Sequence, residues 1–342
     1  MRILISAALL IALGACQRQP SPKPESTETA TSAPAPVTNI DSGLLQVQVA
    51  LDRIGFTPGV LDGRMGLSTR NALEAFQDAN GYPVTGEVDA ATRGGLAQAG
   101  SVAATRVVTI QPDFARGPFV PVPREPADQA KMTELGYASL EEKLAERFHT
   151  TPDVLKQLNP GKAFAAGQQI TVPDVADPQV DPAPPEGSPD WPATLSNLGV
   201  SSLQPRVDRV EVSKSKGVLR AYDAQGTLVA AFTATMGSEH DPLPLGKWKI
   251  LVVDRNPKFH YNPDLFWDAG PGDKAATLPP GPNGPVGVVW LDLSKPHYGI
   301  HGTPAPETIG RAESHGCVRL TNWDVARLAQ MVHPGTEVLF KE

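Results

Sequence analysis

The sequence predicts a multidomain protein with a small all-α module, a small α+β module and a mainly-β C-terminal domain. Its 342 residues are enough for two or three domains. The 35 prolines cluster in separate stretches, which is typical of linkers between modules. Apolar residues recur with helical spacing before residue 100, whereas strand-like patterns dominate after residue 206. These observations indicate three modules joined by connecting segments.

The N-terminus has the features of an export signal. Residues 3–13 form an apolar run that is too short for a confident transmembrane helix, and it ends in Leu13-Gly14-Ala15-Cys16. This ending resembles a bacterial lipobox, which implies a lipoprotein signal peptide at residues 1–15 and lipidation of Cys16. Acyl chains on Cys16 would anchor the chain in a membrane. Gln17 then implies a periplasmic protein held at the outer membrane of a Gram-negative bacterium. An ordinary secretory signal is the alternative.

Three segments are predicted to connect the modules rather than to form a core. Residues 16–41 are rich in Ser, Thr, Pro and Ala, so they predict a flexible tether. Residues 99–129 predict a mixed connector that contains proline. Residues 176–205 include a run rich in proline and acidic residues and predict a second linker.

The all-α module is predicted at residues 42–98. Apolar residues at helical spacing predict a first helix, and Ser68 and Asp89 are candidate caps for a second and a third helix. The pattern of Gly55-Phe56, Asp62-Gly63 and Phe76-Gln77 resembles the peptidoglycan-binding domain of type 1. The resemblance implies binding to the glycan or peptides of the cell wall. A helical spacer with the same fold and no ligand is the alternative.

The α+β module is predicted at residues 130–175. Two short helices, an Asn159-Pro160 turn and a strand ending at Pro173 resemble the later part of a LysM module, which binds N-acetylglucosamine chains. The usual first strand of such a module is not evident in the sequence. The alternative is a degenerate spacer that only packs on its neighbours.

The C-terminal domain is predicted at residues 206–341. Strand-like segments fill most of it, and Val325, Leu328, Ala329 and Val332 predict one late amphipathic helix. Residues 254–285 predict a long loop rich in proline, glycine and aromatic residues, which we expect to shape a substrate cleft. His260 in this loop and His297 after it have no evident partner.

Cys317 and His301 are the candidate catalytic pair. A cysteine nucleophile needs a base, and His301 lies 16 residues upstream of Cys317 in a glycine-bearing segment. Gly316 allows a tight turn, and Arg319 could bind a substrate carboxylate. A buried structural cysteine and a zinc site are the alternatives. If Cys16 carries lipid, Cys317 has no partner for a disulfide in an oxidising compartment, which favours catalysis.

The residues around this pair resemble the signature of the L,D-transpeptidase (YkuD) family. The matching segments are Ile300-His301-Gly302 and Ser314-His315-Gly316-Cys317-Val318-Arg319-Leu320. Residues 241–250 and 278–287 resemble further motifs of the family, although Gly284 stands where a second asparagine is expected. The resemblance covers most of residues 206–341. It implies a β-sandwich-like catalytic domain with a cysteine nucleophile and neither a cofactor nor a metal.

The resemblance also implies roles for the residues of the motif. Cys317 attacks as a thiolate, which should alkylate quickly near neutral pH, and His301 takes the proton and later returns it. The backbone carbonyl of Gly302 orients the His301 ring. The remaining residues have supporting roles: Ser314 in the loop, His315 in holding the loop or assisting the nucleophile, Gly316 in the oxyanion site, and Arg319 on a stem-peptide carboxylate.

The implied reaction acts on the tetrapeptide stems of peptidoglycan through a thioester. Capture by another stem gives a 3–3 cross-link, capture by a lysine attaches a protein to the wall, and capture by water is hydrolysis. These outcomes, which include an L,D-carboxypeptidase and an amidase, remain open. A non-catalytic tether between outer membrane and wall is the rival from another class. The net charge of −7 does not favour nucleic acid as a partner.

Overall fold

The computed structural model describes residues 40–266, 269–270, 272, 274–311 and 316–342. The predictions for the signal peptide, for Cys16 and for nearly all of the tether lie outside the described residues, and so do those for Ser314 and His315. The described residues belong to one compact unit. None of the helices within these ranges is long and apolar enough to cross a membrane.

The first module consists of three helices and a short strand. These elements are α1 (Ser42–Arg53), β1 (Phe56–Thr57), α2 (Leu67–Ala79) and α3 (Ala90–Ala99). The Asp89 carboxylate accepts a hydrogen bond from the Thr92 N–H and caps α3, as predicted. The prediction that Ser68 caps the second helix is wrong, because α2 already begins at Leu67 after the extended Gly66.

The second module has three short helices between two paired strands. Its elements are β2 (Thr105–Thr109), α4 (Pro126–Gln129), α5 (Leu140–Arg147), α6 (Pro152–Leu158) and β3 (Gln169–Pro173). β2 and β3 pair antiparallel, with Val108 opposite Ile170. β2 lies in the segment that was predicted to be a connector. The local sequence does not predict β2, because the strand is short, its Val107 is exposed and its pairing partner β3 lies far downstream.

A helix replaces part of the predicted second linker. α7 (Trp191–Leu198) buries Trp191, Leu195 and Leu198 in the main core of the C-terminal domain. The indole N–H of Trp191 donates to the side chain of Gln330 at 2.8 Å. Proline is compatible with this helix because Pro192 occupies its first turn, where no intrahelical N–H is needed. The prediction that residues 176–205 form a linker is therefore wrong for the segment of α7.

Within the part of the chain that the structure describes, the C-terminal domain adds eleven strands and one α-helix. They are β4 (Arg209–Ser213), β5 (Val218–Tyr222), β6 (Leu228–Thr233), β7 (Thr235–Met236), β8 (Gly246–Arg255), β9 (Phe259–Tyr261), β10 (Ala276–Leu278), β11 (Val289–Leu293), β12 (Gly299–His301), β13 (Val318–Arg319), α8 (Asn322–Met331) and β14 (Glu337–Lys341). The mainly-β prediction with one late helix is confirmed.

Ten strands form one hydrogen-bonded sheet in the order β1-β6-β5-β4-β14-β8-β11-β12-β13-β7. The long strand β8 joins two halves, because its first residues pair with β14 and its later residues pair with β11. Side chains from both halves, such as Phe232 and Leu291, pack in a single core with α7 and α8. This arrangement agrees with the expected β-sandwich-like domain.

The long loop after β8 is not structureless. Within residues 254–285, β9 and β10 pair antiparallel, and Tyr261 stacks on Phe266 with ring centroids 5.5 Å apart. Nδ1 of His260 lies 3.1 Å from the Thr277 hydroxyl across this pair, so His260 has a partner that the sequence did not reveal. The proposed role of the loop in shaping a cleft stays a prediction.

The three modules meet at a buried charged cluster. Nδ1 of His149, from the second module, lies 3.0 Å from the carboxylate of Asp52 in α1. Arg327 of α8 donates to the backbone carbonyl of Asp52 at 2.8 Å. Burial alone would raise the pKa of Asp52, but the charges of His149 and Arg327 lower it to about 2. In addition, β1 pairs in parallel with β6, so the first module extends the sheet of the C-terminal domain.

Candidate active site

Two neighbouring parallel strands bring the predicted nucleophile and the predicted base to one face of the sheet. β12 pairs with β13, with Ile300 opposite Val318 and His301 opposite Arg319. Ile300 and Val318 are fully buried in the core. Because side chains alternate along a strand, His301 and Arg319 face the opposite side. Cys317 directly precedes β13, and the same alternation places it on the face of Arg319 and His301.

The ring of His301 is held in one orientation. Its Nδ1 lies 2.7 Å from the Gly302 carbonyl, and its ring stacks on Trp290 of β11 with centroids 5.5 Å apart. A carbonyl oxygen can only accept, so Nδ1 carries the proton and Nε2 is the basic nitrogen. Burial, and then the charge of Arg319, lower the pKa of His301 to about 3. His301, which is 4% exposed, is therefore neutral at physiological pH.

The backbone at Gly302 admits only glycine in its present packing. A Cβ atom added at Gly302 would come 2.3 Å from Oδ1 of Asn322, and one added at Gly287 would come 2.0 Å from the same oxygen. The Gly302 N–H donates to the Val286 carbonyl at 3.0 Å. These contacts fix the backbone of Gly302, whose carbonyl holds His301. The hydrogen bond expected between Gly302 and His301 is thus present, and its part in catalysis stays a prediction.

The thiol of Cys317 lies in a partly enclosed position. Its Sγ is 3.9 Å from the His297 carbonyl, and the backbone of Gly299 hydrogen-bonds to it. Burial raises the pKa of the thiol, whereas the Gly299 bond and Arg319 lower it. The net direction is upward, so the resting form is a thiol. Desolvation of the thiol thus outweighs the positive charge of Arg319. The attack of Cys317 as a thiolate stays a prediction.

Gly316 adopts a conformation that other residues rarely adopt. Its φ is +92°, and an added Cβ would come 2.7 Å from the ring of Tyr298. The turn before the nucleophile therefore needs glycine both for its backbone angle and for the approach of Tyr298. Burial, and then Cys317 and Asp241, raise the pKa of Tyr298. Tyr298 was not among the sequence candidates, although it stands one residue before β12.

Three further residues shape the site without having been predicted. Trp290 faces His301 across β11 and β12, Tyr298 lies against Gly316, and Asn322 packs between two glycine backbones. The strand pattern was the only sequence signal for Trp290, because Trp290 stands between the buried residues Val289 and Leu291 of β11. Arg319 lies opposite His301 on the same face of the sheet, and its contact with a substrate stays a prediction. Its charge affects the pKa of both His301 and Cys317.

Comparison with known families agrees with this fold and this motif. Residues 207–339 match the model of the L,D-transpeptidase catalytic domain, and residues 41–96 match the model of the peptidoglycan binding domain. The mainly-β domain that contains His301 in β12 and Cys317 directly before β13 is thus a domain of the L,D-transpeptidase class. Two of the resemblances inferred from the sequence, to the L,D-transpeptidase catalytic domain and to the peptidoglycan-binding domain, are confirmed at the level of the domain family. The resemblances to a LysM module and to a lipobox stay predictions.

Known relatives establish the membership. The chain is 32% identical over 200 residues to YkuD of Bacillus licheniformis, named as an L,D-transpeptidase, covering 58% of this chain and 90% of that protein. YkuD of Bacillus subtilis is 30% identical over 197 residues, covering 57% and 89%. The solved L,D-transpeptidase 3 of Mycobacterium tuberculosis is 18% identical with a TM-score of 0.34, and the alignment covers 43% of this chain and 65% of that chain. The chain belongs to the L,D-transpeptidase family and is an enzyme of this class whose substrate is peptidoglycan.

Proposed function

We propose that the protein is a cysteine-dependent L,D-transpeptidase that acts on the tetrapeptide stems of peptidoglycan through a thioester. The donor bond lies between the third residue of the stem and the D-alanine at position four. The products are 3–3 cross-links or proteins attached to the wall. The strand register of β12 and β13 carries this proposal, because it sets Cys317 and a neutral His301 on the same face.

The first half-reaction begins from a neutral pair. Nε2 of His301 takes the proton of the Cys317 thiol as the sulfur attacks the carbonyl carbon of the third residue. Backbone N–H groups at the Gly316 turn stabilise the oxyanion, with His315 and Ser314 completing the loop. The tetrahedral intermediate collapses, the C–N bond breaks, and the D-alanine amine leaves with the proton from His301. Cys317 then carries the acyl group as a thioester.

The second half-reaction regenerates the thiol. An acceptor amine attacks the thioester carbon and gives its proton to His301, and the departing sulfur recovers a proton from His301. A stem amine as acceptor gives a 3–3 cross-link, whereas a protein lysine gives a wall-attached protein. Water as acceptor would make the enzyme an L,D-carboxypeptidase or an amidase. Arg319 binds a carboxylate of the stem on the same face as the reacting pair.

Mass spectrometry of the full chain incubated with disaccharide-tetrapeptide tests this reaction. We expect dimers joined through two third-position residues, and we expect Cys317→Ala to abolish them. Tripeptide alone would favour hydrolysis or a missing protein acceptor. An unchanged substrate with a reduced, unmodified Cys317 would favour the non-catalytic tether.

The modules before the catalytic domain are proposed to hold the enzyme on the wall. The match of residues 41–96 to a peptidoglycan binding domain supports wall binding by the first module. The arrangement of α5 and α6 between the paired strands β2 and β3 supports a LysM-like second module. Lipid on Cys16 would anchor the chain at the outer membrane. Full-length Cys317→Ala should sediment with purified sacculi, and a failure to do so would reduce both modules to spacers.

A further inference from the structure

A buried hydrogen-bond chain connects the second module to α8 of the catalytic domain. Glu146 of α5 is 5% exposed. Its Oε1 accepts a hydrogen bond from the Asn322 amide at 2.8 Å, and its Oε2 lies 2.9 Å from the Tyr137 hydroxyl. The Asn322 amide also donates to the Pro282 carbonyl at 3.0 Å. The two N–H bonds of this amide are thus both used, and the side chain of Asn322 is held in one orientation.

The same asparagine touches the backbone that orients His301. Its Oδ1 accepts a hydrogen bond from the Val288 N–H at 3.3 Å. The glycine positions next to this oxygen have no room for a Cβ atom, which would lie 2.3 Å away at Gly302. The carbonyl of Gly302 in turn binds Nδ1 of His301 at 2.7 Å. A continuous set of contacts therefore runs from α5 to the ring of His301.

We propose that Glu146 and Tyr137 are positioning residues for the reaction. They hold the amide of Asn322, Asn322 packs the Gly302 peptide in place, and the Gly302 carbonyl fixes the tautomer and angle of His301. The second module would then be a structural part of the active site as well as a proposed wall-binding element. This inference rests on the proposed function, in which His301 is the base.

The chemistry of Glu146 suits such a role. Burial raises its pKa to about 8, and the charge of Glu142 adds to this effect, while the hydrogen bonds from Asn322 and Tyr137 oppose it. Glu146 is therefore largely protonated near neutral pH, and its own side chain adds no negative charge next to Asn322. With the proton on Oε2, this oxygen donates to the Tyr137 hydroxyl, which can accept as well as donate, and Oε1 stays free to accept from Asn322. A glutamine can reproduce this arrangement, because its amide N–H can face Tyr137 while its oxygen faces Asn322.

Steady-state kinetics on disaccharide-tetrapeptide, with the full chain, test the proposal. Glu146→Ala should lower kcat by about 10- to 100-fold with little change in KM, because a shift of about 1 Å in a catalytic group can cost about 100-fold. Glu146→Gln should restore most of kcat. Tyr137→Phe keeps the ring packing, and it should lower kcat less than Glu146→Ala does.

A matched control separates positioning from a general loosening between modules. Asn71 donates to the Lys216 carbonyl at 2.7 Å, between the first module and the catalytic domain. Asn71→Ala removes a buried contact between modules but none of the contacts to Asn322, so its kcat should equal that of the wild type. An equal loss of kcat in Asn71→Ala and Glu146→Ala would overturn the proposal, and so would a wild-type kcat in Glu146→Ala.

A second readout does not depend on the stem substrate. The rate of alkylation of Cys317 by iodoacetamide, measured by mass spectrometry on the peptide that contains it, reports on proton transfer to His301. We expect Glu146→Ala to slow alkylation and Glu146→Gln to restore it. If the wild type turned over no stem peptide, the proposed function would fail, yet this rate would still test the positioning. Equal alkylation rates in Glu146→Ala and the wild type would overturn the positioning role.

Discussion

The burial of Glu146 predicts how stability depends on pH. An ordinary glutamate has a pKa of 4.5, and burial raises that of Glu146 to about 8. Between these values the folded chain keeps a proton that the unfolded chain has released. The contribution of this group to the free energy of unfolding is therefore fully present at low pH and declines as the pH rises toward 8.

The size of the effect follows from the shift in pKa. One pKa unit corresponds to about 1.4 kcal/mol, so the interval from 4.5 to about 8 amounts to at most about 5 kcal/mol. Glu146→Gln is neutral at every pH and keeps the hydrogen bonds to Asn322 and Tyr137. Relative to the wild type, we expect it to gain up to about 4 kcal/mol between about pH 5 and pH 8.

Urea denaturation followed by tryptophan fluorescence across this pH range is the assay. Glu141→Gln is the matched control, because it changes the same helix at its partly exposed first turn. The control should follow the pH dependence of the wild type, whereas Glu146→Gln should depart from it steadily as the pH rises. Parallel curves for Glu146→Gln and the wild type would refute the reasoning about this buried carboxyl.

Two further substitutions test other parts of the structure. Gly302→Ala places a methyl group 2.3 Å from Oδ1 of Asn322, so kcat should fall by about 100-fold or more, and a variant with wild-type kcat would contradict the role of this packing. Asp52→Asn leaves His149 and Arg327 without their counter-charge, and the free energy of unfolding should fall by about 3 kcal/mol. Urea denaturation measures this loss. If only residues 41–96 unfolded earlier and the catalytic domain did not, the junction would not couple the modules.

Local patterns were sufficient to indicate the candidate residues of the site. Cys317, His301 and Gly302 lie in short segments whose residue types indicate a nucleophile, a base and a glycine turn. The pairing of β12 with β13, which brings these segments together, was not predicted from the sequence. Asn322 and Glu146 could not be found in this way. Their side chains meet at 2.8 Å, yet they stand in different modules and far apart in the sequence. Nothing in either local sequence indicates the contact.

The elements of the fold also divide into those that the local sequence predicts and those that depend on distant contacts. The helices α1, α2 and α8 followed from their apolar periodicity, because each buries one face along a continuous segment, whereas α3 was indicated only by its cap Asp89. The strand β2 and the helix α7 were missed for different reasons. β2 is stabilised by pairing with the distant β3, and Pro192 in α7 gave its segment the composition of a linker. In both cases tertiary packing outweighs the local signal.

The most direct test of the central claim is intact-protein mass spectrometry of the full chain mixed with disaccharide-tetrapeptide. We predict a transient mass increase equal to the donor stem without its D-alanine, located on Cys317 and absent from Cys317→Ala. His301→Gln should strongly slow its formation. Formation of cross-linked or shortened stems by Cys317→Ala at the wild-type rate would contradict the account.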